Sequence, residues 1–256
     1  MGIIIHAACG CNTGKIRKNN EDNFYFDGRC LERVNDGLND VISSSQLLAN
    51  NTCMAVFDGM GGERFGEYAS YLAAEKLKQL QPTLKERFLK QKDYLVKVAQ
   101  VLDDTVVKAQ EELRTQHMGA TMAGLWFFNR KAYICNLGDS RVYRLRGGVL
   151  KQLSVDHVEK RPLKPGRKAP LTQHLGAGSE EIRVEPSIAI SGINFGDKYL
   201  LCTDGLTDML ADTEILEIME HNATPHSIVR SLIRNAMEQG GRDNITVIVC
   251  SLDRSF

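Results

Sequence analysis

The chain opens with an apolar run over residues 3–9 that reads as a strand, crosses the polar stretch "CNTGKIRKNNED", and returns to a short second strand, "NFYF", at 23–26. Residues 28–51 follow neither a strand nor a helix period, so an irregular insertion is expected there. A strand over 52–58, "TCMAVFD", comes next. The pattern then turns helical. From Gly66 to Leu80 apolar residues recur at Ala69, Leu72, Ala73, Leu77 and Leu80, with Pro82 just beyond as a stop signal. Between Asp93 and Leu113 the series Leu95, Val98, Leu102, Val106, Ala109 and Leu113 predicts a longer helix with one stripe facing a core.

Strand character resumes with "ATMAGLWFF" (120–128), "KAYICNLGDSRVYRL" (131–145) and "VLKQLS" (149–154). Turn signals at Asn129-Arg130 and Gly147-Gly148 separate them, which predicts an antiparallel meander. Residues 156–181 hold three of the six prolines and read as a surface loop. "KYLLCTDG" (198–205) is a further strand, followed by a helix capped near Asp212 and another that opens on Thr224-Pro225 and closes at Gly240-Gly241. "NITVIVCSL" (244–252) is the last strand. Strand groups at both ends of the chain, each with a helix pair, predict an α+β architecture of sheet packed on sheet with helices outside.

At 256 residues, with 43% hydrophobic positions and no Pro/Ser-rich linker, the chain is expected to form one domain over 1–256. Lys+Arg and Asp+Glu balance at 32 each, which argues against a nucleic-acid or membrane partner. Seven cysteines without a secretion signal point to a reducing cytoplasm and free thiols, with Cys53, Cys135, Cys202 and Cys250 packed as small hydrophobes. His6, Cys9 and Cys11 could suggest a metal, but no matching second ligand pair is present.

The chemistry gathers at the turns. Glu21-Asp22, Asp58-Gly59, Gly138-Asp139, Thr203-Asp204-Gly205 with Asp208, and Arg242-Asp243 each put an acid at or beside the end of a predicted strand or at a hairpin mouth. One such acid is an ordinary turn residue. Five that converge in a sandwich repel one another unless a cation neutralises them, and oxygen ligands without a His or Cys cluster select Mg²⁺ or Mn²⁺. Two such ions can hold a bridging hydroxide for in-line attack on phosphorus. The glycines of "VFDGMGG" then serve to turn the Gly59 carbonyl and to leave space, since the lysine of a phosphate-binding loop and the third glycine of a dinucleotide fingerprint are both absent.

In these motifs the chain resembles the metal-dependent Ser/Thr protein phosphatases, the PPM or type 2C family, and most of all their bacterial branch. The resemblance is carried in order by "RKNNED" (17–22), "VFDGMGGERFGEYAS" (56–70), "MGATM" (118–122), "NLGDSRVYRL" (136–145), "LLCTDGLTDML" (200–210) and "GGRDNITVIV" (240–249). It implies a four-layer α-β-β-α sandwich of two antiparallel sheets flanked by helix pairs. It implies two Mn²⁺ or Mg²⁺ ions, with Asp58 bridging both, Asp204 and Asp243 on the first, and Glu21 with the Gly59 carbonyl on the second. Asp22 would act through bound water, and Asp139 and Asp208, with Asp204, would hold a weaker third ion. Arg17 matches the arginine that grips the substrate phosphate, and Thr121 a supporting position beside the site. The implied partners are phosphoprotein substrates and a cognate Ser/Thr kinase, and a monomer is expected.

Two positions depart from the family pattern. Met60 stands where some members carry a histidine proposed as general acid, so the leaving-group proton has to come from water or another residue. The flap at about 156–181 is short, and Lys160, Arg161, Lys164, Arg167 and Lys168 read there as solvated loop charges, with attraction of acidic phosphopeptides as the alternative. The expected activity is hydrolysis of phosphoserine and phosphothreonine monoesters. The rival readings are a pseudophosphatase acting as a regulatory binding module and a metal-dependent nuclease or phosphodiesterase.

Overall fold

A computed structural model describes residues 2–49, 52–61, 65–81, 90–160, 168–178 and 183–255. Two antiparallel sheets pack face to face. In the first, the central strands are β1 (Ile3–Asn12) and β12 (Ile245–Arg254), paired along their whole lengths from Ile3↔Arg254 to Asn12↔Ile245. β3 (Ile42–Leu47) closes one edge against β1. β11 (Lys198–Cys202), β8 (Arg141–Arg146) and β9 (Val149–Gln152) complete the other side. The second sheet runs β10 (Ser187–Gly192), β7 (Lys131–Leu137), β6 (Met122–Phe128), β4 (Thr52–Met60) and β2 (Asp22–Tyr25), with the two-residue β5 (Gly119–Ala120) added to the end of β4.

Strands buried on both faces read as nearly continuous apolar runs, and their alternation sorts the side chains between layers. Met54 and Val56 of β4 point between the sheets to meet Ile5, Phe24, Leu125, Tyr199 and Ile248. Ala55 and Phe57 point outward, onto α1 (Gly66–Leu80) and α2 (Gln91–Leu113), where Ala69, Ala73, Leu95 and Leu102 cover them and Trp126. On the other outer face Val247 and Val249 of β12 meet Ile215 of α4 (Asp212–His221) and Ile228 and Leu232 of α5 (Pro225–Glu238). The result is the four-layer α-β-β-α sandwich. Thr224 caps α5, accepting a hydrogen bond from the Ser227 N–H with Pro225 behind it, as the sequence predicts.

Three features depart from the sequence reading. The stretch 28–51 is not irregular throughout, because β3 lies inside it as an exposed edge strand whose polar side chains hide its period. Strand β10 and the one-turn helix α3 (Asp204–Thr207) also carried no clear period. The meander is two hairpins in different sheets. β6 and β7 turn at Asn129-Arg130 (φ 47° and 57°), and β8 and β9 turn at Gly147-Gly148 (φ 55° and 75°), both left-handed pairs that suit two-residue hairpin loops. Between the hairpins the chain crosses from one sheet to the other through Gly138, whose φ of +95° and contact with the Thr121 side chain leave no room for a Cβ. That crossing delivers Asp139 to the end of the sandwich.

The thiols are free, as expected, and Cys9 and Cys11 are buried between the sheets. His6 is on the opposite face of β1, bonded to Ser45 Oγ at 2.9 Å, so the three residues share no metal site.

Candidate active site

At one end of the sandwich, where the chain passes between sheets, lies a cleft of about 720 Å³ lined by Arg17, Glu21, Asp58, Asp139, Lys168, Asp204 and Asp243 among others. The carboxylates come from separate turns, and cross-chain hydrogen bonds hold those turns together. Asp22 and Asp58 are direct register partners on β2 and β4. The Asp58 N–H donates to Thr121 Oγ1 at 3.0 Å, the Thr121 N–H donates back to the Asp58 carbonyl at 2.8 Å, and Thr121 Oγ1 shares a 2.6 Å bond with Ser140 Oγ, one residue beyond Asp139. Thr121 therefore ties the Asp58 turn to the Asp139 turn. Asn244 does the same for the turns bearing Glu21 and Asp243: its Oδ1 accepts the Glu21 N–H at 2.8 Å, and its Nδ2 donates to the carbonyls of Thr13 and Asn19.

Gly59 is required by packing. Its N–H donates to the Glu21 carbonyl at 3.0 Å, and a Cβ there would sit 2.0 Å from the Gly66 carbonyl oxygen and 2.5 Å from that of Glu21. Gly66 in turn makes room for the Glu21 carboxylate, which lies 2.8 Å from where its Cβ would be.

Burial raises the pKa of Glu21, Asp22, Asp58, Asp139 and Asp204, because the charged form loses water and gains like-charged neighbours. Asp58 is pushed well above the usual range, by burial first and Asp204 second. Asp22, only 1% exposed, is pushed to about 8 by burial against the opposing hydrogen bonds of Thr246 and Thr203. Both hydroxyls donate to its Oδ2, at 2.7 and 2.8 Å. Asp139 rises to about 6 through burial and Asp204, and Glu21 and Asp204 rise chiefly through burial.

Two organic cations face these acids. Arg17 Nη2 bonds Asp243 Oδ2 at 2.8 Å from the rim, with its side chain about half exposed. Lys168 Nζ binds Asp204 Oδ2, lies 2.7 Å from Asp208 Oδ2 and 3.9 Å from Asp243 Oδ2. Arg141, two residues beyond Asp139, is engaged with Asp156 at 2.7 Å.

The structure thus brings Arg17, Glu21, Asp58, Gly59, Asp139, Asp204 and Asp243 to one cleft, with Asp22 buried behind it and Asp208 beside it through Lys168. Lys168 corrects the reading of the flap: its side chain stays exposed, but its ammonium is paired with Asp204 and Asp208. Lys160 lies in the described flap, whereas Arg161, Lys164 and Arg167, like Gly62 and Pro82, fall outside the described residues. Sequence reasoning also missed Thr203, Thr246, Ser140 and Asn244, which hold the acids. The only signal for them was their nearness to acidic turns.

Whether a divalent cation fits can be judged from the donors. They are all oxygens, which suits Mg²⁺ or Mn²⁺. Among the described residues Asp22 Oδ1 and Asp204 Oδ1 are buried without a hydrogen-bond partner, a costly state that a cation relieves. Among the described residues no three such groups already stand at ligand spacing around one point. Lys168 and Arg17 occupy outer oxygens of Asp204, Asp208 and Asp243 instead. The orphaned oxygens and the donor chemistry decide for a fit.

Comparison with known proteins agrees with this geometry. The family model for Protein phosphatase 2C matches residues 28–239. The chain is 31% identical over 261 residues to the serine/threonine protein phosphatase PstP of Mycobacterium tuberculosis, covering 98% of this chain but only 45% of that protein. It is 31% identical over 266 residues to the serine/threonine phosphatase Stp of Listeria monocytogenes, covering 97% of this chain and 96% of the relative. The chain thus spans less than half of the longer PstP relatives and nearly all of the Listeria ones. A crystal structure of the PstP catalytic domain in complex with 2 manganese ions superposes with a TM-score of 0.78 at 27% identity, covering 98% of this chain and 100% of that one.

Proposed function

The chain belongs to the protein phosphatase 2C family, and from that premise we propose that it is a serine/threonine phosphoprotein phosphatase, hydrolysing phosphoserine and phosphothreonine monoesters with the aid of two Mn²⁺ or Mg²⁺ ions. The observation that carries this reading is the convergence of acids from five turns on one cleft, where Asp22 Oδ1 and Asp204 Oδ1 are buried without a partner among the described residues. In this reading Asp58, Asp204, Asp243, Glu21 and the Gly59 carbonyl would hold the two ions, and Asp22 would act through water. When bound, such ions acidify a coordinated water and neutralise charge on the phosphate.

The rest falls to the protein. Arg17, on the rim, is placed to exchange its bond to Asp243 for two parallel N–H···O bonds to phosphate oxygens, which would orient the ester. The water oxygen forms the new bond to phosphorus as the bond to the serine or threonine oxygen breaks, and that oxygen takes up a proton. With Met60 in the wall, that proton comes from water or from another residue of the cleft. No cysteine stands in the cleft lining, consistent with direct attack by water and no phosphoenzyme. An acid at every proposed carboxylate-ligand position supports turnover over a binding-only role. A cytoplasmic setting and a Ser/Thr kinase as the source of substrate complete the proposal, and no helix among the described residues is long and apolar enough to cross a membrane.

The test is release of phosphate from a phosphothreonine peptide in Mn²⁺, beside a phosphodiester such as bis-p-nitrophenyl phosphate. Turnover of the monoester at least about a hundredfold faster than of the diester, a gap of roughly 3 kcal/mol, is expected. Diester cleavage at a matching rate would overturn the assignment.

A further inference from the structure

The acidic cleft carries more negative groups than its proposed ions require, and one of the protein's own cations is built into it. Lys168 reaches Asp204 Oδ2 and Asp208 Oδ2 at once, with Asp243 and Asp139 nearby. This is not a chance surface pair. The backbone that delivers it is pinned two to four residues later, where Val158 and Leu171 form a bridge, the Glu159 N–H donates to the Pro170 carbonyl at 3.0 Å, and the Thr172 N–H donates to the His157 carbonyl at 2.8 Å. His157 itself accepts the Gly138 N–H at 3.2 Å, so the same segment is tied to the turn that carries Asp139.

The two oxygens of Asp204 are treated differently. Oδ2 is taken by the ammonium, while Oδ1 is buried with no protein partner. Among the described residues Asp22 Oδ1, on a side chain 1% exposed, and Glu67 Oε2, near Glu21, are likewise buried without a partner. An ammonium and a divalent cation do not share the same small space, because like charges repel strongly at contact distance. The lysine thus sorts the acids into those it satisfies and those it leaves open.

We propose that Lys168 is a resident cation at the mouth of the cleft, its stem exposed and its ammonium neutralising the Asp204 Oδ2 and Asp208 side, so that divalent ions are confined to the oxygens it leaves open. The inference rests on the metal-site reading above. It predicts that the protein binds fewer ions than its acids could hold, and that removing one ammonium opens one additional site.

The experiment counts Mn²⁺ per chain, by calorimetry and by electron paramagnetic resonance of the free ion, in EDTA-stripped protein. It compares the natural chain with Lys168→Met, Lys168→Arg and the double variant Lys168→Met/Asp208→Asn, all checked for folding by circular dichroism. Lys168→Met is expected to bind one Mn²⁺ more than the natural chain, Lys168→Arg to keep the natural count, and the double variant to lose the extra ion. An unchanged count in Lys168→Met overturns the inference while leaving the metal site intact. So does a gain of about tenfold or more in affinity for the original ions without an added one, since the lysine would then be a competitor and not a divider. No binding by any of the proteins would instead sink the metal reading itself, and the inference with it.

Discussion

The cleft has two sides built in different ways. On the strand side, Asp22 and Asp58 are fixed as register partners, and backbone and hydroxyl bonds from Thr121, Thr203 and Thr246 hold them in place. On the flap side, Asp204, Asp208 and Asp243 sit on a one-turn helix and on loops, and mobile-stemmed cations, Lys168 and Arg17, meet them. One side is positioned by the fold and leaves Asp22 Oδ1 unsatisfied. The other leaves Asp204 Oδ1 open while long side-chain cations meet its outer oxygens. That division suits a site in which one wall must stay rigid while the opposite one admits an ester.

The comparison breaks most sharply at Asp58. Asp58→Asn is expected to lower kcat for a phosphomonoester by at least about a thousandfold, because the residue proposed to hold both ions sits on the rigid side. Steady-state kinetics at saturating Mn²⁺ check this. The strand side is sharpened next by Thr246→Val, which removes one donor from the buried Asp22 Oδ2 and is expected to cost about 1–3 kcal/mol of stability, read from the denaturant midpoint. On the flap side, Arg17→Ala is expected to raise KM by roughly tenfold with kcat little changed, since the rim arginine would bind phosphate alike in ground and transition states. An unchanged KM would remove Arg17 from the substrate site.

The buried acids also impose a dependence on pH. Asp139 and Asp22, lifted from an ordinary 3.8 to about 6 and about 8, hold protons in the folded chain that the unfolded chain has released. The unfolded state therefore binds fewer protons between about pH 4 and 8, and the stability of the EDTA-stripped protein should fall as pH rises through that window. Saturating Mn²⁺ should flatten the slope. A metal-free stability that rises over the same range would contradict the burial of these acids.

Much of this was readable in the chain. The helical stripes of α1 and α2, the Thr224-Pro225 cap and the hairpin turns follow from local chemistry, and the acids at strand ends announced a common site. What stayed hidden was non-local. Nothing between Leu137 and Arg141 says that the chain changes sheets there, because a meander and a crossover share the same apolar runs and the same glycine. The edge strand β3 shows polar side chains on an exposed surface, so burial imposes no alternation on its sequence. Lys168 looked like one basic residue among five, and only the tertiary pairing of Val158 with Leu171 aims it at Asp204. Thr246 and Asp22 are 224 residues apart, a distance no local pattern bridges.

The most direct test of the central claim is the rate of phosphothreonine peptide hydrolysis before and after metal is stripped with EDTA and returned as Mn²⁺. The account predicts that turnover vanishes on stripping, returns with Mn²⁺ in the natural chain, and does not return in Asp58→Asn. Equal turnover in EDTA, or full recovery in Asp58→Asn, would contradict it.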